Sequence, residues 1–182
     1  PIYSDAGIPL VVPTATSGRL WEVGGWIFPM APSDSVEAAF LGQVAVDGLK
    51  ATRIAVYFVN SAYGTGIRTE LDRWLAAREL APVDEVPYVI GADLETLVEA
   101  SVRRSRPDLV VLVGRRIEVA RMAALLFDLD PSIRLLAADG AYDQLAELIS
   151  EAGPAADSLY LTTFWVADTT VPVQREFIRR YR

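Results

Sequence analysis

The sequence contains no cysteine and no histidine. The first absence excludes a disulfide framework and a thiolate metal site. The second removes Ser-His and Cys-His catalysis, His-ligated zinc and histidine acid/base chemistry. Positive charge is scarce: 17 basic residues, only Lys50 a lysine, face 24 acidic ones, for a net charge of −7 over 182 residues. That balance argues against a nucleic-acid-binding surface. No apolar run approaches the roughly 20 residues of a membrane helix, so no direct membrane insertion is expected of this stretch. The opening PIYSDAGIPL has neither a basic n-region nor a long h-region, so no export signal is visible in it. Gly64-Thr65-Gly66 lacks the third glycine of a dinucleotide fingerprint. Carboxylate, lysine and tyrosine chemistry are what remain.

What is present is a regular alternation. With 52% hydrophobic residues, the chain suits one globular α/β domain or slightly more. The stretch Arg53–Gly66 (RIAVYFVNSAYGTG) predicts an apolar strand over Ile54–Val59, a polar turn and a Gly-flanked entry into a helix over Ile67–Glu79. Strands follow over Val86–Ile90, Leu109–Val113, Arg134–Ala138 and Leu159–Phe164, with Pro87 marking an edge. Between them lie a helix capped by Asp93, a helix over Ile117–Phe127 and a helix over Tyr142–Glu151; a last helix spans Pro172–Tyr181. Five strands separated by four helices predict a doubly wound parallel sheet, a three-layer α/β/α unit from Ser33 to Phe164. A helix begins near Asp34, where Asp34 and Glu37 resemble a capping box and Val36, Ala39, Phe40 and Val44 follow helical spacing. Before it, the short strand Ile8–Val12 and the extended Trp26–Met30 stand without the helix that a βαβ unit supplies. An upstream portion is therefore expected to be missing.

Several side chains sit where strands end. Thr14, Ala15, Thr16 and Ser17 follow the first strand, and their hydroxyls and free N–H groups suit a carboxylate as well as they suit a helix cap. Tyr63 follows Ile54–Val59, where a ring covers an aliphatic group or packs on a neighbouring loop. Asp139 ends the strand Arg134–Ala138; it reads as the turn residue of Asp-Gly or as a carboxylate awaiting a cation. Arg115, after Leu109–Val113, faces the crevice or the solvent beside Arg116. Trp21 walls a cleft or packs a hinge.

Taken in series, GIPLVVPTATSGRL, NSAYGTG, Gly114-Arg115, AADGAYD and LYLTTF resemble the type I periplasmic solute-binding proteins, closest to the leucine/isoleucine/valine-binding branch of ABC transporter components. The resemblance covers the whole chain. It implies two α/β lobes joined by hinge strands, with a small ligand trapped between them. Residues 1–32 would be the end of lobe one and the first crossover, 33–161 lobe two, and 162–182 the return crossover and the start of a lobe-one helix. It implies a ligand site of Thr14, Ala15, Thr16, Tyr63, Arg115 and Asp139. Thr16 would contact the amino-acid backbone and Asp139 the ammonium. Arg115 departs from the aromatic or small residue often found there and puts branched-chain specificity in question. The expected protein is extracytoplasmic and non-catalytic. It would need no cofactor or metal, bind an amino acid or small carboxylate, and partner a membrane permease. The alternatives are a ligand-sensing domain of a receptor or regulator, and an enzyme acting through Asp128, Asp130 or Asp139.

Overall fold

A computed structural model describes residues 2–181. The chain opens with a short helix α1 (Ile2–Asp5) and two short parallel strands, β1 (Leu10–Val12) and β2 (Ile27–Pro29), paired from Leu10 opposite Ile27. A 3-10 segment over Gly18–Glu22 lies between them. The main body then runs α2 (Asp34–Gln43), β3 (Ile54–Val59), α3 (Ala62–Ala76), β4 (Asp84–Tyr88), α4 (Leu94–Ser105), β5 (Leu109–Val113), α5 (Arg116–Leu129), β6 (Arg134–Ala137), α6 (Leu145–Ala152) and β7 (Leu159–Leu161), with α7 (Pro172–Tyr181) closing the chain. All five strands of this sheet are parallel, in the order β4-β3-β5-β6-β7. The order reverses between β3 and β5, which opens a crevice beyond the carboxyl ends of those strands.

The central strands are apolar throughout because both faces are covered. Ala55, Tyr57, Val110, Leu112 and Leu135 point to one side, against Val98, Met122, Ala123 and Leu126 of α4 and α5. Ile54, Val56, Val111, Val113 and Leu136 point to the other, against Leu41, Ile67, Leu71 and Leu75 of α2 and α3. The alternation is the period of two that a strand imposes. Burying each large aliphatic chain contributes about 1.5–3 kcal/mol. β4 pairs only with β3, so Pro87 occupies an edge strand as its missing N–H requires. Asp93 caps α4, its carboxylate accepting from Thr96 N at 3.3 Å.

Five expectations are corrected. The capping box at Asp34 does not form: Ser33 is the N-cap, Asp34 already lies inside the helix, and both Asp34 and Glu37 are buried. The buried face of α2 is therefore Asp34, Glu37, Ala38, Leu41 and Gly42, whereas Val36 and Phe40 are more than half exposed. The helix after β3 starts at Ala62 rather than Ile67, because Ser61 caps it by accepting from Gly64 N at 3.3 Å. Gly64 and Gly66 thus serve close packing inside a helix. A Cβ on Gly64 would lie 2.0 Å from the Val59 carbonyl oxygen, and one on Gly66 2.7 Å from Asp34 Oδ2. At the far end, Asp139–Ala141 forms a 3-10 turn, so α6 begins at Leu145. β7 stops at Leu161, and Phe164 lies beyond it, partly exposed.

Candidate functional site

The crevice predicted by strand order is a real concavity of about 620 Å³. One wall is Thr14, Ala15, Thr16 and Ser17, carried by the turn after β1. The other is built at the carboxyl ends of three strands, by Tyr63 after β3, Arg115 after β5, and Asp139 and Gly140 after β6. All six residues singled out from the sequence line this one cleft. Trp21 does not, and neither do Asp128 and Asp130. Asp130 closes its own turn, accepting from Ser132 N at 2.9 Å and Ser132 Oγ at 2.6 Å.

Tyr63 and Asp139 form the centre of the second wall. Because α3 starts early, Tyr63 is in its first turn and its ring is held inward against both core clusters. The phenol donates to Asp139 Oδ1 at 2.7 Å and accepts from Gly140 N at 3.1 Å. Burial, with the Glu37 and Asp139 carboxylates nearby, pushes its ionisation well above the ordinary tyrosine range, so it stays a donor. Asp139 receives this bond from one side, and its own N–H donates to Glu37 Oε1 at 2.6 Å.

Two acids complete the cluster. Asp34 is 4% exposed and lies on the lining; Glu37 is 5% exposed behind it. The backbone of Asp34 donates to Thr16 O at 2.8 Å, which ties the two walls together. Burial raises the Asp34 carboxyl above the usual range, partly offset by the Thr16 hydroxyl and reinforced by Asp139 and Glu70. Burial also pushes Glu37 up to about 8, with Asp139 the next influence. Asp34 Oδ1 and Glu37 Oε2 are buried without a hydrogen-bond partner. Sequence reasoning passed over both acids as a cap. The signal was in the spacing: Asp34, Glu37 and Leu41 fall on one helical stripe, so an acid pair shares the core-facing side.

Charge of the other sign frames this acidic centre. The first turns of α3 and α5 open onto the cleft, and helix N-termini carry partial positive charge. Arg115 is the exposed N-cap of α5 and forms no ion pair among the described residues, whereas Arg116 pairs with Glu147 at 3.1 Å and Glu151 at 2.7 Å. The cleft thus offers carboxylates without a cation beside donors without an anion. A small zwitterion has the matching pair of charges. Among the described residues no group of histidine, cysteine, aspartate and glutamate could hold a metal ion, and no helix is long and apolar enough to cross a membrane.

The comparisons agree with this architecture. The Leu/Ile/Val-binding protein homolog 1 of Brucella suis is 25% identical over 185 residues, covering 100% of this chain and 48% of its own length. A leucine binding protein of Thermotoga maritima superposes with a TM-score of 0.87 at 22% identity, over 100% of this chain and 51% of its own. A solute binding protein of R. palustris in complex with benzoate superposes with a TM-score of 0.82 at 16% identity, over 99% of this chain and 49% of its own. The chain spans about half the length of the relatives it matches. The parallel sheet flanked by helices is theirs, and the profile described as periplasmic binding protein matches residues 1–182 throughout: the chain belongs to the periplasmic binding protein family.

Proposed function

We propose that this chain carries most of the ligand site of an extracytoplasmic solute-binding protein, which takes up an amino acid and delivers it to the permease of an ABC importer. The observation that carries the reading is the Tyr63–Asp139 unit: an oriented carboxylate on the cleft that forms no ion pair among the described residues. An α-ammonium supplies that cation, and the hydroxyls and N–H groups of Thr14–Ser17 suit the α-carboxylate. The aliphatic side of a ligand meets the Tyr63 ring, Ile90 and Ile117. In this reading residues 1–32 belong to lobe one and its crossover, 33–161 form lobe two, and 162–182 return to lobe one. Closure is a hinge movement, in which contacts from both walls favour the closed state over the open one. No covalent chemistry is asked of any residue. The Leu/Ile/Val name of the Brucella relative favours an amino acid, while the benzoate complex marks a plain carboxylate as the competing ligand class.

The test is thermal-shift screening and calorimetry on the whole protein, with the twenty amino acids and small carboxylates such as benzoate. A true ligand at a hundredfold excess over its Kd stabilises by about 2.7 kcal/mol. Stabilisation by an amino acid and none by its deaminated analogue is the expected result. Equal response to both removes Asp139 from ammonium recognition, and no response to either sinks the reading.

A further inference from the structure

Glu37 is a buried acid that the ligand reading leaves without a task. It joins three separate segments: it stands on α2, Oε1 accepts from Asp139 N at 2.6 Å beyond β6, and the same oxygen accepts from Thr162 Oγ1 at 2.9 Å beyond β7. Thr162 is itself buried, and its N–H donates to Ala137 O at 3.0 Å. Glu37 Oε2 is buried with no donor to accept from. The ionisable groups around it are Asp139 from the turn after β6, Tyr63 from α3 and Asp34 on α2 itself, which in turn feels Glu70 of α3; the segment after β7 adds only the Thr162 hydroxyl. Among the described residues, no arginine or lysine figures among the influences on Asp34 or Glu37. Glu37 and Asp139 are neighbouring carboxyls that cannot both ionise cheaply, and Glu37, buried where Asp139 is only half-buried, keeps its proton.

We propose that Glu37 is a positioning residue that works as a neutral acid, seating Asp139 for ligand, and that a cation bound at Asp139 displaces its proton. The chemistry is consistent atom by atom. In the acid form Oε1 is the carbonyl oxygen that accepts both existing bonds. Oε2 carries the proton, and the Asp139 carboxylate beside it is the acceptor. When an ammonium arrives at Asp139, its charge favours the ionised form of Glu37, and the proton leaves to solvent. Binding therefore releases up to one proton, and affinity rises with pH until the free protein has itself lost that proton. This deepens the amino-acid reading and rests on it for the ligand, though not for the protonation state of Glu37.

The sign for stability follows from the same geometry. Glu37 has an ordinary value of 4.5 and is raised to about 8 in the fold. Its contribution is fully present below the ordinary value and is lost as pH rises to the folded one. Across that window the folding equilibrium falls by up to tenfold per pH unit relative to a chain lacking the group.

The experiment compares the whole protein with Glu37→Gln and Glu37→Ala. Glutamine presents the same acceptor and a permanent donor, so Glu37→Gln should fold, and its unfolding midpoint should lose the decline that the wild type shows from pH 5 to pH 8. Parallel pH curves for the two overturn the neutral-acid assignment without any ligand. L-leucine is the binding probe, titrated at pH 6, 7 and 8 in buffers of low and high ionisation enthalpy. The wild type should bind more tightly as pH rises, with a heat that tracks the buffer; Glu37→Gln should bind with neither dependence, and Glu37→Ala should bind at least tenfold more weakly. Buffer-independent heat in the wild type, or a buffer dependence that survives in Glu37→Gln, overturns the proton exchange. If leucine does not bind while the stability curves differ as expected, the neutral acid stands and the amino-acid reading fails.

Discussion

The two ends of the five-stranded sheet treat their acids in opposite ways. At the amino end, Asp108 accepts from Thr52 N at 2.9 Å, Thr52 Oγ1 at 2.7 Å and Arg53 N at 3.1 Å, with Arg134 at 3.5 Å. Asp84, at the start of β4, accepts from Ser101 Oγ at 2.6 Å and pairs with Arg104 at 2.5 Å. Burial works against the charge of both, yet these bonds outweigh it and hold each carboxyl below its ordinary range. At the carboxyl end, Asp34 and Glu37 are more deeply buried, have oxygens without partners, and are raised instead. At the amino end, Asp84 and Asp108 already have their donors. At the carboxyl end, burial favours the neutral form of Asp34 and Glu37 and leaves Asp139 without an ion pair among the described residues, an arrangement that suits a cationic group.

Three substitutions break or sharpen this contrast. Asp139→Ala has the largest expected effect: loss of its charge-assisted contact should weaken amino-acid binding by about 2–3 kcal/mol, roughly 30- to 150-fold, in calorimetry of the whole protein. Its melting temperature should fall only modestly, because the Tyr63 hydroxyl loses its acceptor while the backbone bond from position 139 to Glu37 remains. Unchanged affinity would remove the residue from the site. Asp108→Ala should show the converse. It orphans the Thr52 and Arg53 donors and should cost about 1–3 kcal/mol in denaturant unfolding, with ligand affinity intact. Because the folded value of Asp108 is lowered, its stabilisation is present above the ordinary carboxylate range and is lost as pH falls through the folded value. The wild-type advantage over Asp108→Ala should accordingly vanish in acid, and an advantage independent of pH contradicts an ionic role. Tyr63→Phe is the smallest: it removes the donor to Asp139 and the acceptor of Gly140 N, for about 1 kcal/mol in affinity. A loss as large as that of Asp139→Ala would make the tyrosine hydroxyl itself the principal ligand contact.

Much of the fold was legible because its strands are buried on both sides. Ile54–Val59 and Leu109–Val113 are continuous apolar runs with no competing pattern, and Pro172–Tyr181 has a proline at its first position. The strand-end residues of the cleft were equally accessible, since strand order alone brings Tyr63, Arg115 and Asp139 to one edge. The face of α2 was not. Apolar spacing selects Val36 and Phe40, but the core side holds two acids whose enclosure depends on Asp139 and Thr162, over a hundred residues away. No local window contains that partnership. The start of α3 is hidden for a different reason: Gly64 and Gly66 read as a turn before the helix, whereas a serine cap and close packing make them helical.

Gly64 has a consequence for anyone mapping this cleft by random mutagenesis. Any side chain at that position meets the Val59 carbonyl within 2.0 Å, a backbone atom that cannot swing aside. Substitutions there should lower ligand binding at least as far as Asp139→Ala does, although position 64 does not line the cleft. A genetic screen scored on transport alone would rank the two positions together. Only a second score for the amount of folded protein separates a residue on the cleft from one that leaves room for its neighbours.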